Sequence, residues 1–355
     1  MRKLGLLQKL LIGCWLAALA GILAGCSGGG NGGAPSLRAT YVLVAGFRSN
    51  NVLRYNAKTG AFVDAFVPSD AALNGGLSGP QAMTFGPDGN LYVTSFDFPF
   101  FRIGKGAVIR YNRKTGALLN VFVPPNAARN GNLSGATGIT FGPDGNLYVS
   151  SALTNSVLRY NGQTGAFIDA FVPSNPAQNG GLNGPNGLVF GPDGNLYVAS
   201  LNFDIVNNVA FPGAVLRYNG QTGAFIDAFV PPDPARNGGL IRTGSLFFGP
   251  DGNLLVSASA FRPRGQVLRF NGQTGAFIGA FIPPGRLDEP IGMGIGPDRN
   301  FYVVSAGGSN PGVFGNGSVS RFNPATGAFI DTFIPPNGAD NGGLTGPTNL
   351  LFFTP

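Results

Sequence analysis

The sequence predicts an all-β chain folded as a six-bladed β-propeller of four-stranded antiparallel blades. Three observations carry this reading. The phrase GPDGNLYV, or a close variant of it, starts at Gly86, Gly142, Gly191, Gly249 and Gly296. A second phrase, VLRYN followed by TGAF, places an arginine at Arg54, Arg110, Arg159, Arg217, Arg269 and Arg321, in steps of 56, 49, 58, 52 and 52 residues. Repeats of this length fit propeller blades, each too small to bury its own apolar face. Third, 58 Gly and 28 Pro are accompanied by 30 Phe and 9 Tyr in fixed places. That combination excludes a disordered low-complexity chain, which would be poor in aromatic residues.

One period shows how each element follows from its residues. Gly187–Phe190 is a short apolar strand, A. Gly-Pro-Asp-Gly then makes a turn: Pro presets φ, Asp tolerates the next position and Gly supplies positive φ. Asn195–Ser200 is strand B and Ala214–Asn219 strand C, both rich in Leu, Val and Tyr. Asn219-Gly-Gln-Thr-Gly223 is the next turn and Ala224–Val230 strand D, which Pro231-Pro232 ends because proline has no amide hydrogen for a ladder. Strands apolar on both faces suit a blade packed between two others.

The two ends of the repeat array complete one another. The first repeat opens on a B strand, Thr40–Gly46, and Pro347–Phe353 is an orphan A strand. Joining them closes the ring in the manner of propeller Velcro closure and removes an exposed edge.

Ahead of residues 40–355, residues 1–25 read as a lipoprotein signal peptide. Arg2, Lys3 and Lys9 form a basic start and Leu10–Leu23 an apolar run too short to span a bilayer comfortably. Leu23-Ala24-Gly25-Cys26 resembles the lipobox of bacterial lipoproteins, which implies lipid attachment at Cys26. Residues 26–39 are the lipidated Cys and a Gly-rich linker, of which Ser27–Ser36 would reach about 18 Å as a random coil. Cys26 would then be the one cysteine left, so no intramolecular disulfide forms. Without the signal's three basic residues the formal charge falls from +7 to +4. No basic run or arm points to nucleic acid. The membrane enters as a partner through the lipid, and in a diderm bacterium Ser27 after the Cys resembles an outer-membrane sorting signal.

The pattern Gly-Pro-Asn-Gly-Leu…Gly-Pro-Asp-Gly-Asn-Leu-Tyr-Val-Ala-Ser, Gly184 to Ser200, resembles NHL repeats and the related gluconolactonase-like and streptogramin-lyase-like propellers, over essentially all of residues 40–355. The resemblance specifies a fold. It leaves function open, because this architecture hosts enzymes and binding modules alike.

Composition restricts the chemistry. With no His at all, a Ser-His-Asp triad, a His base and His-ligated metal are excluded; streptogramin-type lyases, by resemblance, employ a catalytic His. Glu289 is the only glutamate, so a glutamate pair for glycoside chemistry is absent. Gluconolactonase-like enzymes hold a divalent cation at the channel mouth with Glu, Asn and Asp, and their Asn-Gly motif at the start of strand A matches Asn186-Gly187. The equivalent positions elsewhere are Gln81, Thr137, Gly244, Ile291 and Thr348, none acidic, with Glu289 two residues from that ring. Asn186 and Glu289 are therefore the candidate metal residues, for Ca²⁺ or another divalent cation. Otherwise no cofactor is expected.

In a meander, A–B and C–D turns lie on one face, B–C and D–A loops on the other. The second face is expected to carry the variation, and variable loops on a rigid scaffold are the usual place for binding. Insertions there concentrate Phe and Arg: Phe96, Phe98, Phe100, Phe101 and Arg102 in one, Phe203 and Phe211 in a second, Phe261, Arg262 and Arg264 in a third. They are candidate partner-binding residues, or equally an apolar cap folded into the channel. The turn Asp residues and the six strand-C Arg residues are read as turn formers and cross-strand ion pairs instead. The expectation is a lipid-anchored, extracytoplasmic binding module for an envelope protein, a polysaccharide or a small ligand, with a metal-dependent lactonase or related hydrolase as the alternative.

Overall fold

The computed structural model describes residues 40–97, 100, 102–204, 209–259, 265–307, 317–336 and 340–355, and only the backbone at 203, 204, 209 and 210. The signal peptide, Cys26 and its linker, with Phe98, Phe101, Phe261, Arg262, Arg264 and the Phe203 side chain, lie outside the described residues. Among the described residues no helix is long and apolar enough to cross a membrane.

The described residues form six four-stranded antiparallel sheets in the order A-B-C-D, with Phe203–Asp204 and Val209–Ala210 paired as a small ribbon besides. Blade 4 is typical: A is Pro185–Phe190, B Leu196–Ser200, C Ala214–Tyr218 and D Phe225–Val230. Strand A therefore starts two residues before Gly187, since a proline is tolerated as the first residue of a strand. The A strands are innermost, and each packs against the A strands of the blades on either side, blade 6 against blade 1 included. Pro347–Phe353 pairs antiparallel with Tyr41–Gly46, which completes blade 1 as the sequence predicts.

Six apolar clusters lie between successive blades. The tyrosine of GPDGNLYV is central to four of them. Tyr197 meets Phe229 of its own blade edge-on at 4.9 Å and Phe248 of the next at 5.1 Å, the geometry aromatic quadrupoles prefer. Its hydroxyl donates to Asp193 in the turn below at 3.0 Å, so turn and interblade packing are coupled.

The two loop sets of the second face differ from expectation. The D–A connections are as templated as the turns, because a buried asparagine organises them. Asn179, fully buried, donates to the Pro173 carbonyl at 2.9 Å and accepts from the Gly181 and Leu182 amides at 3.0 Å. Its carbonyl accepts from the Tyr218 hydroxyl at 2.8 Å. Asn74, Asn130, Asn237 and Asn341 repeat the buried position. The connection into blade 6 departs: residues 285–288 stand where 233–241 do in the one before, although Leu287 remains buried as Leu240 is. Variation thus resides in the B–C insertions and in this one shortened loop.

Candidate functional site

The A–B ladder shifts register at the channel mouth in every blade. In blade 4, Pro185 pairs with Ser200 and then Leu188 with Val198, so Asn186-Gly187 forms a bulge. Bulges re-aim side chains at barrel rims. Here they set Gln81, Thr137, Asn186, Gly244, Ile291 and Thr348 into one channel wall, the ring that the alignment of repeats picks out. Several of these residues tie blades together. Thr137 donates to the Pro185 carbonyl at 2.8 Å, Thr348 to that of Pro80 at 2.9 Å and Asn186 to that of Thr243 at 3.4 Å. Gly187 serves the same closeness: a β-carbon there would lie 2.8 Å from the Gly244 carbonyl oxygen.

Two residues earlier comes a second ring. Its members are Gly79, Gly135, Gly184, Arg242, Glu289 and Gly346, all in left-handed backbone with φ between 51° and 62°. The carbonyl of each accepts from the residue just beyond strand B: Phe96, Ala152, Leu201, Ser259, Ala306 and Phe47 respectively. The backbone is thus one template repeated six times, and glycine is the residue that fits it without strain. Blades 5 and 6 instead carry opposite charges there.

Above these rings a cavity of about 560 Å³ opens on the B–C/D–A face. Phe47, Phe96, Leu153, Leu201 and Phe211 give it an apolar arc on blades 1 to 4, while Arg242, Thr243 and Glu289 line blades 5 and 6. Phe47 and Phe96 pack edge-on with ring centroids 6.0 Å apart. Burial pushes the Glu289 carboxyl above its ordinary value; Arg242 pulls against that rise and Asp288 adds to it. Burial likewise lowers the Arg242 guanidinium, opposed by Glu289. Thr243 is fully buried, and its hydroxyl has no hydrogen-bond partner among the described residues. A pocket of this size and mixed lining suits a small organic ligand.

The structure brings together residues that the sequence assigned to rival functions. Phe96 and Phe211, expected to bind a partner, share the cavity with Asn186 and Glu289, expected to hold a metal. Phe100 and Arg102 lie elsewhere. The Arg102 guanidinium stacks over the Phe100 ring at 4.9 Å and grips buried Asp97 at 2.7 Å, beside a separate hollow of about 250 Å³. The sequence does not single out Arg242, Thr243, Phe47, Leu153 and Leu201: two positions before that ring, only Glu289 stands out by residue type, as the lone glutamate. There, the glycine of the other four repeats would mark Arg242 as well.

Among the described residues no three of His, Cys, Asp or Glu converge. The cavity's carboxylate shares its wall with a guanidinium, and the Asn186 amide donates to a backbone carbonyl. These residues do not fit a calcium ion, which takes six to eight oxygens and usually several charges.

The periodic charges are structural, as read from the sequence. Arg159 pairs with Asp169 across strands C and D and approaches turn residue Asp144 at 3.8 Å. Where Asn120 and Gly279 replace Asp, Arg110 bonds Asn120 at 3.1 Å and Asp88 at 3.3 Å, and Arg269 turns to Asp251 at 3.7 Å.

No protein-family model matches the chain, and no curated protein matches it in sequence. Solved structures do. A chain of the nidogen/laminin complex superposes with a TM-score of 0.61 at 15% identity, over 88% of this chain and 98% of that one. A protein of unknown function from Bacteroides caccae gives 0.56 at 12% identity, over 89% and 100%. A Bacteroides uniformis protein assigned provisionally as a 6-phosphogluconolactonase gives 0.51 at 16%, over 89% and 100%. At these identities the likeness shows the propeller fold alone.

Proposed function

We propose that this chain is a binding module that takes a small ligand, or a protruding part of a larger partner, into the cavity at the B–C/D–A mouth of its channel. One observation carries the reading: five apolar side chains and the Arg242, Thr243 and Glu289 group converge on one cavity from all six blades. The donor set, poor for a metal ion, is good for an organic molecule with an apolar body and a polar end. The nidogen/laminin complex places the same fold within a protein assembly, which supports a binding role. A lipid on Cys26 would hold the module at the cell envelope, on the outer membrane of a diderm bacterium.

A melting-temperature screen tests this. The purified propeller is treated with a chelator and then mixed with sugars, lactones, carboxylic acids and amino acids, or with Ca²⁺, Mg²⁺ or Mn²⁺. A native-state ligand at a hundred times its Kd adds about 2.7 kcal/mol. An organic compound is expected to raise the melting temperature of the wild type and not of Leu201→Arg, which fills the cavity with a charged side chain. A rise with a divalent cation and with no organic compound would instead favour a metal-dependent lactonase built on Asn186 and Glu289.

A further inference from the structure

The six repeats are controls for one another. At the position before the first proline or its counterpart in strand A, four repeats have glycine and two have Arg242 and Glu289, all with the same left-handed backbone and the same carbonyl hydrogen bond. A non-glycine residue there carries strain that persists only where the surroundings enforce it, and such strain gathers at functional sites. The two departures are in consecutive blades and opposite in charge. Strands A of these two blades pack side by side, both charges line the same cavity, and each bears on the other's titration.

We propose, resting on the binding-module reading above, that the cavity recognises a free α-amino acid with an apolar side chain. Arg242 donates to the ligand's carboxylate, and Glu289 accepts from its ammonium group. Phe47, Phe96, Leu201 and Phe211 receive the side chain. A carboxylate and an ammonium on one carbon match two neighbouring opposite charges. A peptide, whose termini stand apart, does not. The raised affinity of the buried Glu289 carboxyl for a proton agrees with a site waiting for a cation.

The test is calorimetric titration of the propeller with L-phenylalanine and L-leucine, then with 3-phenylpropanoate, 2-phenylethylamine, N-acetyl-phenylalanine and phenylalanine amide. The whole amino acids are expected to bind, and each analogue lacking one charge to bind about thirtyfold more weakly or worse, as when one partner of a desolvated charge pair is lost. Arg242→Gly and Glu289→Gly install the residue that the other repeats use, so these variants should melt no lower than the wild type while losing the amino acid. Equal binding of 3-phenylpropanoate and phenylalanine, or retention of phenylalanine by both glycine variants, overturns the amino-acid assignment while leaving a binding cavity. No binding of either amino acid overturns it as well. If Leu201→Arg then also leaves every ligand of the thermal screen unaffected, the cavity reading falls with it.

Discussion

Arg242 and Glu289 occupy equivalent places in successive blades and hold φ angles of 52° and 51°, in backbone that the other four blades give to glycine. Both side chains line the same cavity. This pair marks where the repeat stops serving the fold alone.

The strain has a measurable sign. Left-handed backbone costs a side-chain-bearing residue roughly 1–2 kcal/mol. Arg242→Gly and Glu289→Gly are therefore expected to gain about 1 kcal/mol in urea unfolding. Gly184→Arg, the converse change in blade 4, should lose about as much or more, because its β-carbon would also crowd Leu201 at 3.3 Å. A loss of stability in both glycine variants would show that the charges hold the rim together.

Glu289 should also leave a mark on the pH profile. Its carboxyl binds a proton more tightly folded than unfolded, chiefly through burial. Between the ordinary glutamate value and the raised one the native state carries more protons, so stability falls as pH rises through that window and is level on either side. Urea midpoints of the wild type and Glu289→Gln, compared across mildly acidic to neutral pH, should diverge there and nowhere else.

Tyr197 separates packing from hydrogen bonding. Tyr197→Phe keeps both edge-on ring contacts and loses one hydroxyl bond, at about 1 kcal/mol. Tyr197→Ala empties the space between blades 4 and 5 and is expected to cost about 3–5 kcal/mol. Thermal unfolding of the two variants checks the order.

Closure rests on Pro347–Phe353. Deleting this strand removes the partner of Tyr41–Gly46 and uncovers the strands of blades 2 and 6 that pack against it. The expected result is an aggregating protein without a single cooperative transition. A monomer with the wild-type melting curve would refute it.

For the anchor, Cys26→Ala in a bacterial host should move the protein from the membrane to the soluble fraction and abolish palmitate labelling. Unchanged fractionation would remove the lipid from the proposal.

Much of this was written in the chain. Repetition of GPDGNLYV and VLRYN…TGAF fixed the blade count, because turn residues and strand period act locally and identically in each repeat. The closing strand was legible for the same reason: an A strand without a B and a B without an A. Even the pairing of Arg159 with Asp169 followed from cross-strand neighbours ten residues apart.

What the sequence could not state was convergence. Phe96 and Asn186 belong to different repeats and suggested different functions, yet the ring closes them onto one cavity. That Arg242 and Glu289, 47 positions apart in the chain, line one cavity depends on strands A of blades 5 and 6 lying side by side in the ring. Local chemistry set the turns, strands and blades of this protein, and only the closed ring decided that Arg242, Glu289 and the apolar side chains of blades 1 to 4 would share one cavity.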